Sequence, residues 1–125
     1  MNQLKNAKTT FLNNNIFEIE GHEGAEFTAD DILKMDEIAR SRYKGFYGQL
    51  INRKNKYSHT QDSMLAIANL RYACAYALIV YDETSKTIAE MQIQVQELFG
   101  NKMQVFSDRE KAIKWLENEV RTKNS

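Results

Sequence analysis

Tyr72-Ala73-Cys74-Ala75-Tyr76-Ala77-Leu78-Ile79-Val80-Tyr81 carries no charge and ends in a β-favouring Leu-Ile-Val-Tyr run before Asp82. Its length is about half of what a bilayer-spanning helix needs. A short apolar run bounded by Arg71 and Asp82 reads instead as an inner strand covered by helices on both faces. Strand alternation puts Ala73, Ala75 and Ala77 on one face, where small side chains let a helix come close.

On its amino-terminal side, Thr60 to Leu70 is dense in Met64, Leu65, Ala66, Ile67 and Ala68 and predicts a largely buried helix, capped by Ser58 or Thr60. The polar segment Arg53-Lys54-Asn55-Lys56-Tyr57 precedes it, and Phe46 to Asn52 predicts another strand. Farther back, Thr28 offers an oxygen to the free N–H groups of a helix running to about Tyr43, with Asp30 and Asp31 at the positive end of its dipole. Ile32, Met35, Ile38, Ala39 and Tyr43 share one face of that helix. Lys34, Asp36, Glu37 and Arg40 are expected to stay wet, and Gly45 to stop the helix. Phe11-Leu12 and Ile16-Phe17-Glu18-Ile19-Glu20 flank Asn13-Asn14-Asn15 and predict an opening hairpin. Its second arm turns Phe17 and Ile19 inward and Glu18 and Glu20 outward.

On the carboxyl side, Thr84 is read as the cap of a helix whose stripe Ile88, Met91, Val95, Leu98 and Phe99 faces the core until Gly100 ends it. Met103 to Phe106 predicts a short strand. Ser107-Asp108-Arg109-Glu110 then matches a capping box for a last helix that buries Ala112, Ile113, Leu116 and Val120. Strands alternating with helices force crossover connections. The fold class is therefore α/β, with a mostly parallel sheet of four or five strands, an N-terminal hairpin and about four helices. Residues 1–125 are expected to form one domain, with 1–8 as a flexible N-terminus and 121–125 as a frayed C-terminus.

The chain is 42% apolar and 27% charged, ordinary for a globular domain of 125 residues. Its 17 basic and 17 acidic side chains cancel, so no overall field gathers nucleic acid or an acidic membrane around it. Residues 1–15 lack the apolar centre of a secretory signal, and no segment is long enough to be an integral membrane span. One cysteine, with no zinc-type Cys/His spacing, favours a reducing compartment, and the expectation is the cytoplasm.

Leu78-Ile79-Val80-Tyr81, the helix after Thr84, Val105-Phe106 and above all Phe106-Ser107-Asp108-Arg109-Glu110-Lys111-Ala112-Ile113-Lys114-Trp115-Leu116 resemble the C-terminal half of SpoIIAA-like, STAS-type domains. Leu50-Ile51-Asn52-Arg53 with Tyr57-Ser58 resembles the middle strand and loop of small bacterial members of that group. The resemblance implies a superfamily of anti-sigma-factor antagonists, anion-transporter cytoplasmic domains and relatives of CRAL-TRIO lipid carriers, most of which bind rather than catalyse. The switch members carry an Asp-Ser-(Ser/Thr)-Gly run whose serine is phosphorylated. Here the corresponding stretch is Lys56-Tyr57-Ser58-His59-Thr60-Gln61-Asp62-Ser63, without the Asp-Ser pair or the glycine, so Ser58 alone carries over.

Arg53, Lys56, Ser58, His59 and Thr60 lie between a strand's carboxyl end and a helix start, where open α/β sheets bind ligands and where a small anion would meet free N–H groups. The plainer reading is a solvated basic loop, since no glycine-rich cradle accompanies it. His22 sits among Glu20, Glu23 and Glu26 without ligand spacing and reads as surface loop. His59 beside Ser58 is no nucleophile and base pair, because adjacent side chains point apart. Cys74 lies within the apolar run and reads as core. Ile93, off the buried stripe of its helix, and Trp115, at the margin of its own, are the candidate partner surface.

The resulting expectation is a non-enzymatic binding or regulatory module of STAS type, acting through a protein partner or a homodimer, with no cofactor and no metal. A small anion at the Arg53–Thr60 loop would modulate it. The alternative is a carrier of a lipid or other apolar ligand, which requires a cavity lined by residues such as Met35, Met64, Tyr76 and Met91.

Overall fold

The computed structural model describes residues 4–125. β1 (Ala7–Leu12) and β2 (Ile16–Gly21) pair antiparallel across a turn in which Asn14 and Asn15 both take left-handed backbone angles, φ 61° and 59°. Asparagine tolerates that region because its short amide can bond locally. Then follow β3 (Glu26–Phe27), α1 (Ala29–Arg42), β4 (Tyr47–Asn52), β5 (Ser58–His59), α2 (Gln61–Ala68), β6 (Ala73–Ile79), α3 (Glu83–Glu97), β7 (Met103–Phe106) and α4 (Arg109–Asn124).

The main sheet has the order β1-β2-β4-β6-β7, parallel from β2 onward, and the decapeptide's strand lies inside it between β4 and β7. The crossovers all step in one direction, and their common hand stacks α1, α2 and α3 on a single face. Ile32, Met35, Ile67 and Ala89 from those helices share one apolar cluster with Phe17, Tyr76 and Leu78. α4 covers the other face, where Ala112 and Leu116 pack on Ile16, Leu50, Ala75 and Ala77. Small residues do admit that helix closely: a Cβ on Gly48 would sit 3.1 Å from both Leu116 and Val120.

Several local expectations are corrected. The β4–β6 register slips between Tyr47 and Gly48, opposite Ala73 and Ala75, which leaves Cys74 as an extra residue and turns Ala73 into the cluster opposite Ala75 and Ala77. Glu18 and Asp36 are buried rather than wet, because each meets an arginine. Asp36 also accepts the Tyr47 hydroxyl proton at 2.6 Å. α1 is capped by Thr28 as expected, through a reciprocal box with Asp31, but ends at Arg42 with Tyr43 in extended conformation, ahead of Gly45. Asp82, not Thr84, caps α3, and Asp108, not Ser107, caps α4; in each case a carboxylate one or two residues earlier or later than the hydroxyl accepts the free N–H groups.

The terminal expectations shift as well. Residues 1–3 of the expected flexible N-terminus lie outside the described residues, and Ala7 and Lys8 belong to β1. α4 continues through Asn124 instead of fraying at 121, because the Asn124 amide accepts from the Phe46 N–H at 2.9 Å and donates to the Phe46 carbonyl at 3.0 Å.

Candidate functional site

The segment after β4 is not a free loop. β5 pairs in parallel with β3, so Ser58 lies opposite Glu26 and His59 opposite Phe27, and backbone bonds from Ser58 to Ala25 and from Thr60 to Phe27 tie the strap down. Phe27 forms its floor, with the Tyr57 ring 4.8 Å and the His59 ring 5.3 Å away. Arg53 lies at the carboxyl end of β4, only 5% exposed, its guanidinium 4.5 Å above the Tyr57 ring. Its Nε is buried without a hydrogen-bond partner, and none of the four ion pairs among the described residues includes it.

The electrostatics follow from that packing. Burial first, and the Arg53 charge second, hold His59 down at a pKa of about 4, so its imidazole is neutral at pH 7. Its Nδ1 lies 3.1 Å from the hydroxyl of the fully buried Ser63, which clamps the strap onto the first turn of α2. Burial also raises the Tyr57 hydroxyl. Thr60, one of the two expected caps, caps α2, whereas α2 is shorter and wetter than expected: only Ser63 and Ile67 are buried and Leu65 is 49% exposed. Of the expected loop residues, Arg53, His59 and Thr60 are thus drawn into structure, while Lys56 and Ser58 face solvent.

On the α4 face of the same sheet edge, Arg109 grips the Glu18 carboxylate with both terminal nitrogens, one at 2.8 Å, and Asn52 donates to it at 3.2 Å. The bond to Arg109 holds the Glu18 carboxyl below its ordinary value despite burial. Tyr81 completes the chain by donating to Asn52 Oδ1 at 2.9 Å. The alternation of β2 concealed this group by marking Glu18 as solvent-facing. An Arg at the first position of the last helix was the available hint.

The second unusual surface is α3. Its inward face is Ala89, Gln92 and Gln96, with Ile93 packed partly against the core. Its expected core stripe is outside: Ile88 is 47%, Met91 63%, Val95 42%, Leu98 85% and Phe99 51% exposed. Gln96 explains the roll, for its amide donates to the Met64 carbonyl at 3.0 Å and accepts from Asn101 at 2.8 Å. Ile93 is half-buried, packed against the core beside that inward face. Trp115 is half-buried against Phe106, ring centres 5.7 Å apart.

The remaining candidates keep apart. His22 is exposed, its ring nitrogen 3.1 Å from the Lys5 carbonyl oxygen, and Cys74 is half-buried with its thiol pKa raised by burial. Among the described residues no group of three or more His, Cys, Asp or Glu is placed to hold a metal, and no helix is long and apolar enough to cross a membrane. Of the four residues named for an apolar cavity, Met35, Met64 and Tyr76 pack in one core cluster, while Met91 points to solvent and does not join them. A cleft of about 620 Å³ at the carboxyl ends of β6 and β7 is lined by Tyr81, Asp82, Lys86 and Ser107, not by the strap.

No protein-family model matches the chain, and no curated protein does. Among solved structures it is similar to the crystal structure of an uncharacterized protein from the DUF3478 family with a SpoIIAA-like fold, from Shewanella loihica PV-4. The two are 12% identical with a TM-score of 0.56, over 88% of this chain and 91% of that one. The chain thus has the α/β SpoIIAA-like fold that its sequence resembled.

Proposed function

We propose that this chain is a non-enzymatic binding module of STAS type that docks protein through the outer face of α3. One observation carries the reading: α3 keeps Gln92 and Gln96 against the domain and turns Ile88, Met91, Val95, Leu98 and Phe99 to solvent. A water-soluble helix normally does the reverse, and a contiguous apolar strip of this kind marks an interaction surface. The test is size in an extract of the cells that make the chain. The wild type should elute above monomer size and Met91→Glu at monomer size, with unchanged circular dichroism. Equal elution of the two would end the reading.

A second reading, favoured by Arg53 alone, adds a small anion at the strap. A guanidinium whose Nε is buried unpartnered and which has no counter-charge is unfavourable, and an oxyanion of the phosphate or carboxylate class would relieve it. Phosphate at millimolar concentration should then raise the unfolding temperature of the wild type but not of Arg53→Met. An equal rise in both proteins would remove the anion from the account. Phosphorylation at the exposed Ser58 would act in the opposite direction, since its register partner is Glu26 and like charges face to face weaken a two-strand pair.

A further inference from the structure

We propose that the partner of α3 is α3 of a second copy, packed antiparallel about a two-fold axis that crosses the helix between Met91 and Val95; this rests on the docking reading above. The exposed positions Ile88, Met91, Val95 and Leu98 are three, four and three residues apart. That is the a and d spacing of a helix seam, which selects a helix as the occupant. The same spacing reads identically from either end, and an isologous contact requires that property, because each copy presents the same strip in reversed direction. Reversal pairs Ile88 with the second copy's Leu98 and Met91 with its Val95, four aliphatic layers with no polar group among them.

The charges permit the pairing. Thr87 and Gln94, which border the seam on its open side, are uncharged, so the bordering side chains of the two copies meet without repulsion. Glu83, Lys86, Glu90 and Glu97 stand away from the seam on the helix. With 17 charges of each sign, two copies approach without a net opposing field. The five exposed residues offer roughly 500–600 Å² of apolar surface per copy, near the upper end for a lone domain. Two such faces reach only the lower limit of a specific interface, so the dimer is weak, with a dissociation constant on the order of 10 μM.

Sedimentation velocity of the purified full chain from about 1 to 500 μM tests this. The wild type should pass from monomer to dimer, and Met91→Glu or Leu98→Glu should remain monomeric throughout, with at least a tenfold weaker association and an unchanged far-ultraviolet spectrum. Orientation is read by cysteine pairing in a Cys74→Ser background: mixed Met91→Cys and Val95→Cys chains should cross-link faster than either variant alone. A wild type that is monomeric at every concentration, or a dimer indifferent to both glutamates, overturns self-pairing. Should that happen while the extract experiment still shows a complex dependent on Met91, docking stands and the second copy is the wrong occupant; should both fail, docking falls with it.

Discussion

α1 and α3 lie on the same face of one sheet, are of nearly equal length, and each carries an apolar stripe at helical spacing, yet they are rolled in opposite senses. α1 buries Ile32, Met35, Ile38 and Ala39, and α3 buries Ala89, Gln92 and Gln96. The difference lies in what each polar residue can reach. Asp36 finds Tyr47 and Arg40 beneath and beside its helix, and Gln96 finds the Met64 carbonyl and Asn101 beneath the other. Periodicity marks a stripe, and long-range hydrogen bonds decide which way a helix with two serviceable faces is turned.

The sharpest way to break this contrast is to place the same charge on each stripe. Met35→Asp should cost at least about 4 kcal/mol by burying an unpaired carboxylate, while Met91→Asp, at concentrations where the chain is monomeric, should change stability by no more than about 0.5 kcal/mol. Urea unfolding of both variants reads the difference, and comparable losses would refute the assigned roll of α3. Truncating the inward polar groups is the next test. Asp36→Ala should cost about 3 kcal/mol, since it strands the buried Tyr47 hydroxyl and frees Arg40, and Gln96→Ala about 1–2 kcal/mol for the Met64 carbonyl left without its donor and the Asn101 amide without its acceptor.

pH separates the strap from α3, because α3 buries no titratable group. His59 is neutral in the folded chain down to a pKa of about 4 but protonates near 6.5 when unfolded, so between those values the unfolded state holds more protons. Its contribution is complete above pH 6.5 and fades by about 2–3 kcal/mol as pH falls to about 4. Glu18 and Asp31, held below their ordinary values of 4.5 and 3.8, add their own loss once pH falls below about 5. Stability curves should therefore decline from pH 6.5 to about 5 in the wild type and in Met91→Asp alike, and stay level over that interval in His59→Gln. A parallel decline in His59→Gln would assign the effect to another group. The smallest effect is the cap of α1: Thr28→Ala should cost about 1 kcal/mol in urea unfolding, a loss that Met91→Asp neither enlarges nor masks.

The element order, the parallel sheet and the caps Thr28 and Thr60 were legible because they depend on neighbours in the chain. The outward stripe of α3 was legible as a stripe and not as a surface, since the Met64 carbonyl that turns Gln96 inward is thirty-two residues away. Glu18 was hidden for a similar reason: its partner Arg109 is ninety-one residues distant, and an alternating strand assigns any carboxylate to water until a cation is shown opposite it. In the strap, the basic residues and the helix start were visible. The two-residue pairing of β3 with β5, which buries Arg53 against Tyr57, leaves too short a pattern to detect.

The inward glutamines have a mechanical consequence. A helix seated on amides rather than on an oily underside can lift away while water takes over the bonds it releases, so its detachment costs less than that of α1. Deuterium should therefore enter the α3 backbone through local opening well before it enters β4 or β6. Whatever covers the outer strip would be felt first as slowed exchange along that one helix.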